Sequence, residues 1–194
     1  MPYPKEKDCV KILEESGCSQ RVILHCIKVG EVAERLARLI RSRGIDVNEE
    51  LVKSAALLHD VGRSKTHGVG HGVVGGEILE QIGLPEDIRR AVERHVGGGI
   101  GKDEAKELKL RRTDLIPETL EEKIVCYADK LVDGVDEVPF ESTLEYFKEK
   151  MGEDHPVVAR LERLHQFFNE LLQNGEASSW QAPQCPERLS SSRT

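Results

Sequence analysis

The sequence lacks a long apolar run, a secretory signal, a CxxC pair and an excess of basic residues. No apolar stretch reaches the ~18 residues that a transmembrane helix needs. The N-terminal segment MPYPKEKDCV has no apolar signal-peptide core. A formal net charge of −7 argues against a broad basic surface for duplex nucleic acid. We therefore expect a cytoplasmic protein without a membrane partner.

The composition bounds the size of the folded unit. The chain has 194 residues, of which 38% are hydrophobic and 32% charged, so it can bury one core. Its five cysteines are odd in number and widely spaced, which favours reduced thiols over a disulfide framework. After Gly175 the composition shifts to Ser, Pro and Gln. We predict one domain over residues 1–175 and a disordered tail over 176–194.

Glycine and proline divide the predicted domain into helices, and no alternating strand pattern is found. The predicted helices cover residues 5–16, 19–43, a segment from Asp46 or Asn48 to about Asp60, then 71–81, 85–95, 117–133, 141–151 and 155–173. Ser19 is a candidate N-cap of the long second helix. The stretch VGGGIGKDE is interpreted as a flexible connection. The predicted fold class is all-α.

Several titratable residues interrupt the apolar stripes of these helices. Four of them lie three or four positions from apolar residues on the same helix face, as buried residues do: His25, His59, His95 and Asp129. Asp60 follows His59 directly. Burying a polar group without a partner costs about 2–7 kcal/mol. For any single histidine, a hydrogen bond to a backbone carbonyl would offset the free energy lost on burial. For the whole set, a shared cation bound by imidazole nitrogen and carboxylate oxygen is the simpler explanation.

The arrangement His25, His59-Asp60, Asp129 resembles the H…HD…D signature of the HD-domain superfamily of metal-dependent phosphohydrolases. The segments AALLHDVGRSK and IVCYADKLVDG are similar to the sequences that flank this signature in the family. The resemblance covers residues 19–135, and helices over 141–173 follow. It implies that the predicted all-α fold is an HD-domain helical bundle.

Two further histidines, His71 and His95, resemble the two-metal pattern H…HD…H…H…D. That subset includes HD-type diadenosine tetraphosphatases and related archaeal proteins. The resemblance implies two divalent cations, the first bound by His25, His59, Asp60 and Asp129, the second by Asp60, His71 and His95. His71 could instead cap a helix. His67 could then be the metal ligand in its place, since both histidines come from the same glycine-rich loop. The residue types suit Mn, Fe, Co, Ni, Zn or Mg, and the sequence does not choose among them.

Basic residues near the signature are candidates for holding phosphate. Arg63 stands where many HD hydrolases carry lysine, and a guanidinium can bind phosphate oxygens bidentately. Lys65 and Lys130 are further candidates. Each of these lysines could instead be a solvated surface residue without a role in binding. The predicted substrate-binding residues are thus Arg63, Lys65 and Lys130, and the predicted catalytic residues are Asp60 and Arg63. His155 and His165 are expected to be structural or surface residues.

The resemblance implies a hydrolase in which a metal-bound water or hydroxide attacks a phosphate ester or anhydride. The expected partner is a small phosphorylated substrate such as a nucleotide. The sequence offers no Ser-His-Asp order and no cysteine nucleophile, which favours direct attack by water. Two alternatives use the same residues: a di-iron oxygenase and a non-catalytic module that senses a nucleotide. The sequence does not give the oligomeric state.

Overall fold

The computed structural model describes residues 2–173, so the predicted tail lies outside the described residues. The helices are α1 (Glu6–Ser16), α2 (Gln20–Ser42), α3 (Glu49–Leu58), α4 (His71–Gln81), α5 (Glu86–Arg94), α6 (Lys102–Glu107), α7 (Leu120–Asp129), α8 (Phe140–Met151) and α9 (Pro156–Gln173). A 3₁₀ turn, Val61–Ser64, follows α3. The prediction of an all-α fold is confirmed. No helix within residues 2–173 has the length and apolar content to cross a bilayer.

Side-chain caps explain where the central helices begin. The Ser19 hydroxyl accepts a hydrogen bond from the Val22 amide at 3.4 Å, so the predicted cap of α2 is confirmed. Asn48 rather than Asp46 caps α3, because its Oδ1 accepts from the Leu51 amide at 3.1 Å. Each cap satisfies an amide that would otherwise lack a partner inside the helix.

The core lies between α2, α3, α5 and α7. Val29 and Leu36 of α2, Leu57 of α3, Val92 of α5 and Ile124 of α7 are all at most 1% exposed. These side chains belong to one continuous apolar cluster. The cluster fixes the four helices relative to one another, and the site residues lie on the same helices.

The helix predicted over residues 117–133 is shorter than expected. It begins at Leu120, because Thr119 and Glu122 form a reciprocal capping box that holds the preceding backbone outside the helix. It ends at Asp129, after which β1 (Val132–Asp133) pairs antiparallel with β2 (Asp136–Glu137). Neither this hairpin nor α6 was predicted from the sequence. The helix α6 begins within the segment interpreted as a flexible connection and continues to Glu107.

Glycines let α4 approach its neighbours closely. A Cβ at Gly76 would lie 2.2 Å from an oxygen of Glu93 on α5, and one at Gly75 would lie 2.9 Å from Val92. A Cβ at Gly62, in the 3₁₀ turn, would lie 2.0 Å from the carbonyl oxygen of His71. Real Cβ contacts are not this short, so the start of α4 depends on glycine at these positions.

We expect Gly62→Ala to lower the free energy of unfolding by about 1–3 kcal/mol or more, because the new methyl group meets backbone atoms that cannot move away cheaply. Gly68→Ala is the matched control, since its Cβ would have nothing nearer than Thr66 Oγ1 at 3.7 Å. Denaturant titration followed by circular dichroism measures both. Equal stability of the two variants would contradict this account of the packing.

Candidate metal centre

The His59–Asp60 pair lies where α3 stops and the 3₁₀ turn begins. His59 is the C-cap of α3, and Asp60 directly precedes the turn. Both residues are buried, at 0% and 3% exposure. Adjacent residues within an α-helix point about 100° apart. The break in the helix therefore explains how an imidazole and a carboxylate that are neighbours in sequence face one shared space.

Four other side chains reach the same space from separate elements. His25 lies in the second turn of α2, His71 begins α4, His95 caps the C-terminal end of α5, and Asp129 ends α7. The structure thus brings together all six residues predicted as metal ligands, although they span more than half of the chain.

The two oxygens of the Asp60 carboxylate face different pairs of histidines. Oδ2 lies 3.6 Å from His59 Nε2 and 4.0 Å from His25 Nε2. Oδ1 lies 3.1 Å from His71 Nε2 and 3.5 Å from His95 Nε2, and these two nitrogens are 3.0 Å apart. Asp60 therefore stands between two groups of donor atoms, where a carboxylate that bridges two cations would have to be.

Asp129 completes the first group. Its Oδ1 lies 3.2 Å from His25 Nε2 and 3.4 Å from His59 Nε2. Two ligands that are each about 2.1 Å from one cation lie roughly 3.0–3.4 Å apart, for right-angled to tetrahedral geometry. The separations given for the two groups are 3.0–3.6 Å, except for the 4.0 Å between His25 Nε2 and Asp60 Oδ2. The arrangement consequently fits divalent cations without a large rearrangement.

Every histidine of the cluster has its Nδ1 against a backbone carbonyl. The four acceptors are Gly134 at 2.9 Å from His25, Ala56 at 2.7 Å from His59, Gly68 at 2.8 Å from His71 and Val92 at 2.6 Å from His95. A carbonyl can only accept, so Nδ1 carries the proton of the neutral imidazole. Nε2 then keeps the lone pair that a metal requires.

The cluster also contains buried atoms without hydrogen-bond partners. Among the described residues, His59 Nε2 and Asp60 Oδ1 are fully enclosed and have no partner in hydrogen-bond geometry. Buried polar atoms are normally paired, because an unpaired one costs free energy. Both atoms point at the positions where the donor groups converge. This observation supports a metal centre independently of the motif.

The charges of the cluster depend on one another. Burial would raise the pKa of Asp60, but positive charge on His59 and the adjacent imidazoles of His71 and His95 hold it well below its usual range. Burial would lower the pKa of His59, but the nearby carboxylates, above all Asp60, raise it. Burial lowers the pKa of His95 to about 4, so this imidazole is neutral near pH 7. The carboxylates thus require positive charge beside them.

Lys130 lies directly beside this cluster. It is 7% exposed, and its ammonium donates a hydrogen bond to Asp129 Oδ2. Burial would raise the pKa of Asp129, but the Lys130 charge and the imidazoles of His25 and His59 hold it well below its usual range. Lys130 also lines the cavity above the cluster. Its position suits both orientation of Asp129 and contact with an anion.

The other two basic candidates lie in different surroundings. Arg63 lines the cavity, and its Nε donates to Asp60 Oδ2 at 2.5 Å. Lys65 is exposed, and its Nζ donates to the Ser16 carbonyl at 3.4 Å on α1. Lys65 does not line the cavity, so the structure does not bring this predicted substrate-binding residue to the cluster.

The three remaining histidines lie outside the cluster, and two of them line the cavity. His67 is exposed and lines the cavity, but the cluster contacts involve His71. His165 stacks on Phe140 at 4.4 Å between ring centroids and hydrogen-bonds Tyr127, as expected of a structural residue. His155 lies at the cavity wall, a position that the sequence analysis did not indicate.

A cavity of about 680 Å³ opens above the cluster. His71, His95 and Asp129 belong to its floor, together with Arg63 and Lys130. One wall of the cavity comes from α8 and α9, and no residue of this wall was predicted from the sequence as part of the site. No local pattern marks that wall, because its residues form part of a cavity only after α8 packs beside the other helices.

The HD domain family matches residues 22–132, a segment that includes all six clustered side chains. The chain belongs to the HD domain family. The matched segment lies within residues 19–135, over which the sequence resembles the family. Membership was thus foreseeable from the motif, whereas the resemblance to the two-metal subset stays a prediction.

Similar proteins are found in archaea. The uncharacterized protein MJ0778 of Methanocaldococcus jannaschii is 46% identical over 155 residues, which cover 80% of this HD protein and 92% of that relative. A tRNA (cytidine(56)-2'-O)-methyltransferase of Thermoplasma volcanium is 35% identical over 169 residues. The match covers 87% of this chain but 48% of the methyltransferase, so the chain spans about half of that relative.

Among solved structures, the L. monocytogenes phosphodiesterase PgpH HD domain is similar, with a TM-score of 0.48 and 17% sequence identity. The match covers 84% of this chain and 98% of that domain.

We expect the parent protein to bind two divalent cations per chain, and His71→Ala and His95→Ala to bind one each. Either change removes one of three donors at the second position and leaves the first group intact. The matched control is His67→Ala, from the same loop, which should still bind two. Elemental analysis of purified protein after dialysis against Mn²⁺ measures all four. If His67→Ala lost a cation while His71→Ala still bound two, the assignment of these two histidines would be reversed.

Proposed function

We propose that the protein is a metal-dependent phosphohydrolase that acts on a nucleotide or another small phosphate ester or anhydride. The observation that carries the proposal is the Asp60 carboxylate, whose two oxygens face separate donor groups. This arrangement lies at the floor of a cavity that also contains Arg63 and Lys130. Paired cations beside fixed basic side chains suit an anionic phosphorus centre.

Six side chains would hold the cations: His25, His59, Asp60 and Asp129 for one, and Asp60, His71 and His95 for the other. When bound, such cations lower the pKa of water and polarise phosphoryl oxygens. The protein contributes fixed ligand orientation, because each Nδ1 is tied to a carbonyl. It also limits bulk water, since His59, His71 and His95 are at most 5% exposed.

Arg63 is the residue best placed to neutralise the substrate. Its side chain is 32% exposed, and only its Nε is directed at Asp60 among the contacts described. A guanidinium has five N–H donors, so it can hold Asp60 and still donate to an anion. Lys130 supplies a second positive charge within the cavity lining. The two cationic groups favour an anionic substrate over a neutral one.

Methyl transfer is not the proposed reaction, although the T. volcanium relative has that name. The chain matches about half of that relative, and the whole relative's activity need not belong to the shared half. The clustered imidazoles and carboxylates form a ligand set typical of metal-assisted hydrolysis. An HD-type oxygenase would use the same ligands, so the decisive measurement must separate these two reactions.

The proposal is tested with metal-loaded protein and a panel of nucleoside monophosphates, dinucleotides and cyclic dinucleotides. We expect release of phosphate or nucleotide that depends on added Mn²⁺ or another divalent cation and stops with a chelator. Oxygen uptake is measured in parallel with Fe²⁺. Absence of hydrolysis across the panel together with iron-dependent oxygen consumption would refute the proposal and favour the oxygenase.

We expect Asp60→Ala to abolish turnover and to lower the melting temperature at a fixed metal concentration. Both cations lose a ligand, and a cation that binds only the native state stabilises it by mass action. Helical content should persist, because Asp60 lies beyond the end of α3. Asp103→Ala, which changes an exposed carboxylate on α6, is the control. Near-parental turnover by Asp60→Ala in saturating Mn²⁺ would contradict the site assignment.

Arg63→Ala should keep two cations per chain and lose about 10²-fold in kcat/KM, the scale of removing one donor to developing negative charge. Arg63→Lys should restore part of the activity, because the charge returns without the bidentate fork. Lys65→Ala is the matched control from the same segment and should resemble the parent, since Lys65 contacts α1 instead of the cavity. Parental kinetics in Arg63→Ala would show that the arginine does not bind substrate.

A further inference from the structure

Exposed apolar side chains gather around the same cavity. Seven large hydrophobic side chains are exposed among residues 2–173, and four of them line this cavity. These four are Val69, Leu108, Tyr146 and Met151, with exposed fractions of 48%, 47%, 56% and 49%. Scattered exposed hydrophobic residues are ordinary, but a group around one opening indicates a binding surface.

Tyr146 and its neighbours on α8 give this surface an aromatic character. The rings of Tyr146 and Phe147 meet edge to face, with centroids 5.7 Å apart. The Lys150 ammonium lies 5.9 Å from the centre of the Tyr146 ring. All three side chains line the cavity, so it has an aromatic wall with a positive charge at its edge.

The cavity is larger than a phosphate group requires. Its volume of about 680 Å³ is within the range of sites for complete small molecules, about 300–1,000 Å³. A ligand with its anion at Arg63 and Lys130 would extend beside the side chains of α8 that line the cavity. The ligand chemistry that matches both ends is an anion joined to a flat apolar group.

We propose that the α8 wall, Tyr146, Phe147 and Met151, binds the base of a nucleoside phosphate and so determines which phosphate ester the site accepts. This inference rests on the proposed function and goes beyond it by assigning substrate selection to α8. The segment that matches the HD family ends at residue 132, before α8 begins. Base–aromatic stacking tolerates different bases, so the wall selects for a base without naming one.

The test compares two compounds with the same phosphate-bearing sugar. Adenosine 5'-monophosphate has a base, whereas ribose 5-phosphate does not. We expect metal-loaded parent protein to prefer the nucleotide, and Tyr146→Ala to lower the nucleotide-to-sugar ratio of kcat/KM about 10-fold, as loss of one stacking contact predicts. A purely structural role for Tyr146 would lower both values and leave the ratio unchanged.

Two controls accompany this variant. Tyr146→Phe keeps the ring and should keep the ratio. Ile82→Ala removes an exposed apolar side chain that does not line the cavity and should match the parent. Hexyl phosphate tests an aliphatic ligand, and a preference for it over the nucleotide would overturn the assignment to a base.

Calorimetric titration of metal-loaded protein with both compounds separates the two proposals. Hydrolysis can fail while binding still discriminates, in which case the phosphohydrolase proposal fails and the base-binding wall stands. Tighter binding of the nucleotide that Tyr146→Ala removes and Tyr146→Phe retains supports the wall. Equal affinity for the two compounds, or no binding of the nucleotide, overturns it.

Discussion

The cluster depends on the sharing of the Asp60 carboxylate between two groups of imidazoles. A carboxylate at 3% exposure is stable only if positive charge or donors surround it. His59 meets it from the C-terminal end of α3, His71 from the start of α4, and His95 from the C-terminal end of α5. The requirement to satisfy one buried anion therefore ties together elements that are distant in sequence.

Helix ends make this arrangement possible, because carbonyls of the final turn are available to bind the histidine side chains. The last carbonyls of a helix lack amide partners. His59 and His95 each follow a helix directly, and their Nδ1 atoms bond the carbonyls three residues earlier, Ala56 and Val92. Each imidazole thus satisfies an acceptor of the final turn and directs Nε2 into the cluster. His25, in a helix interior, has no such carbonyl and instead uses Gly134 of the hairpin.

Periodic patterns in the sequence predicted the site residues, whereas features without a periodic pattern could not be predicted. Polar residues on apolar stripes indicated His25, His59, His95 and Asp129 as a set, and the structure brings them together. The end of α7 was misplaced, because helical spacing continues past Asp129 while the backbone turns into β1. The α8 wall gave no signal, since an exposed aromatic residue on an amphipathic helix has no meaning until its neighbours are known.

The two halves of the cavity differ in how closely their residues are packed. On the floor, glycines at 62, 75 and 76 allow backbone contacts that no other residue would permit, so the positions of His71 and His95 are closely constrained. On the wall, the side chains of Tyr146 and Met151 are about half exposed, so a different side chain there would displace less of the packed interior. A change on α8 can alter ligand fit without disturbing the ligand set. The fold therefore separates the metal-binding chemistry from the surface proposed to select the substrate.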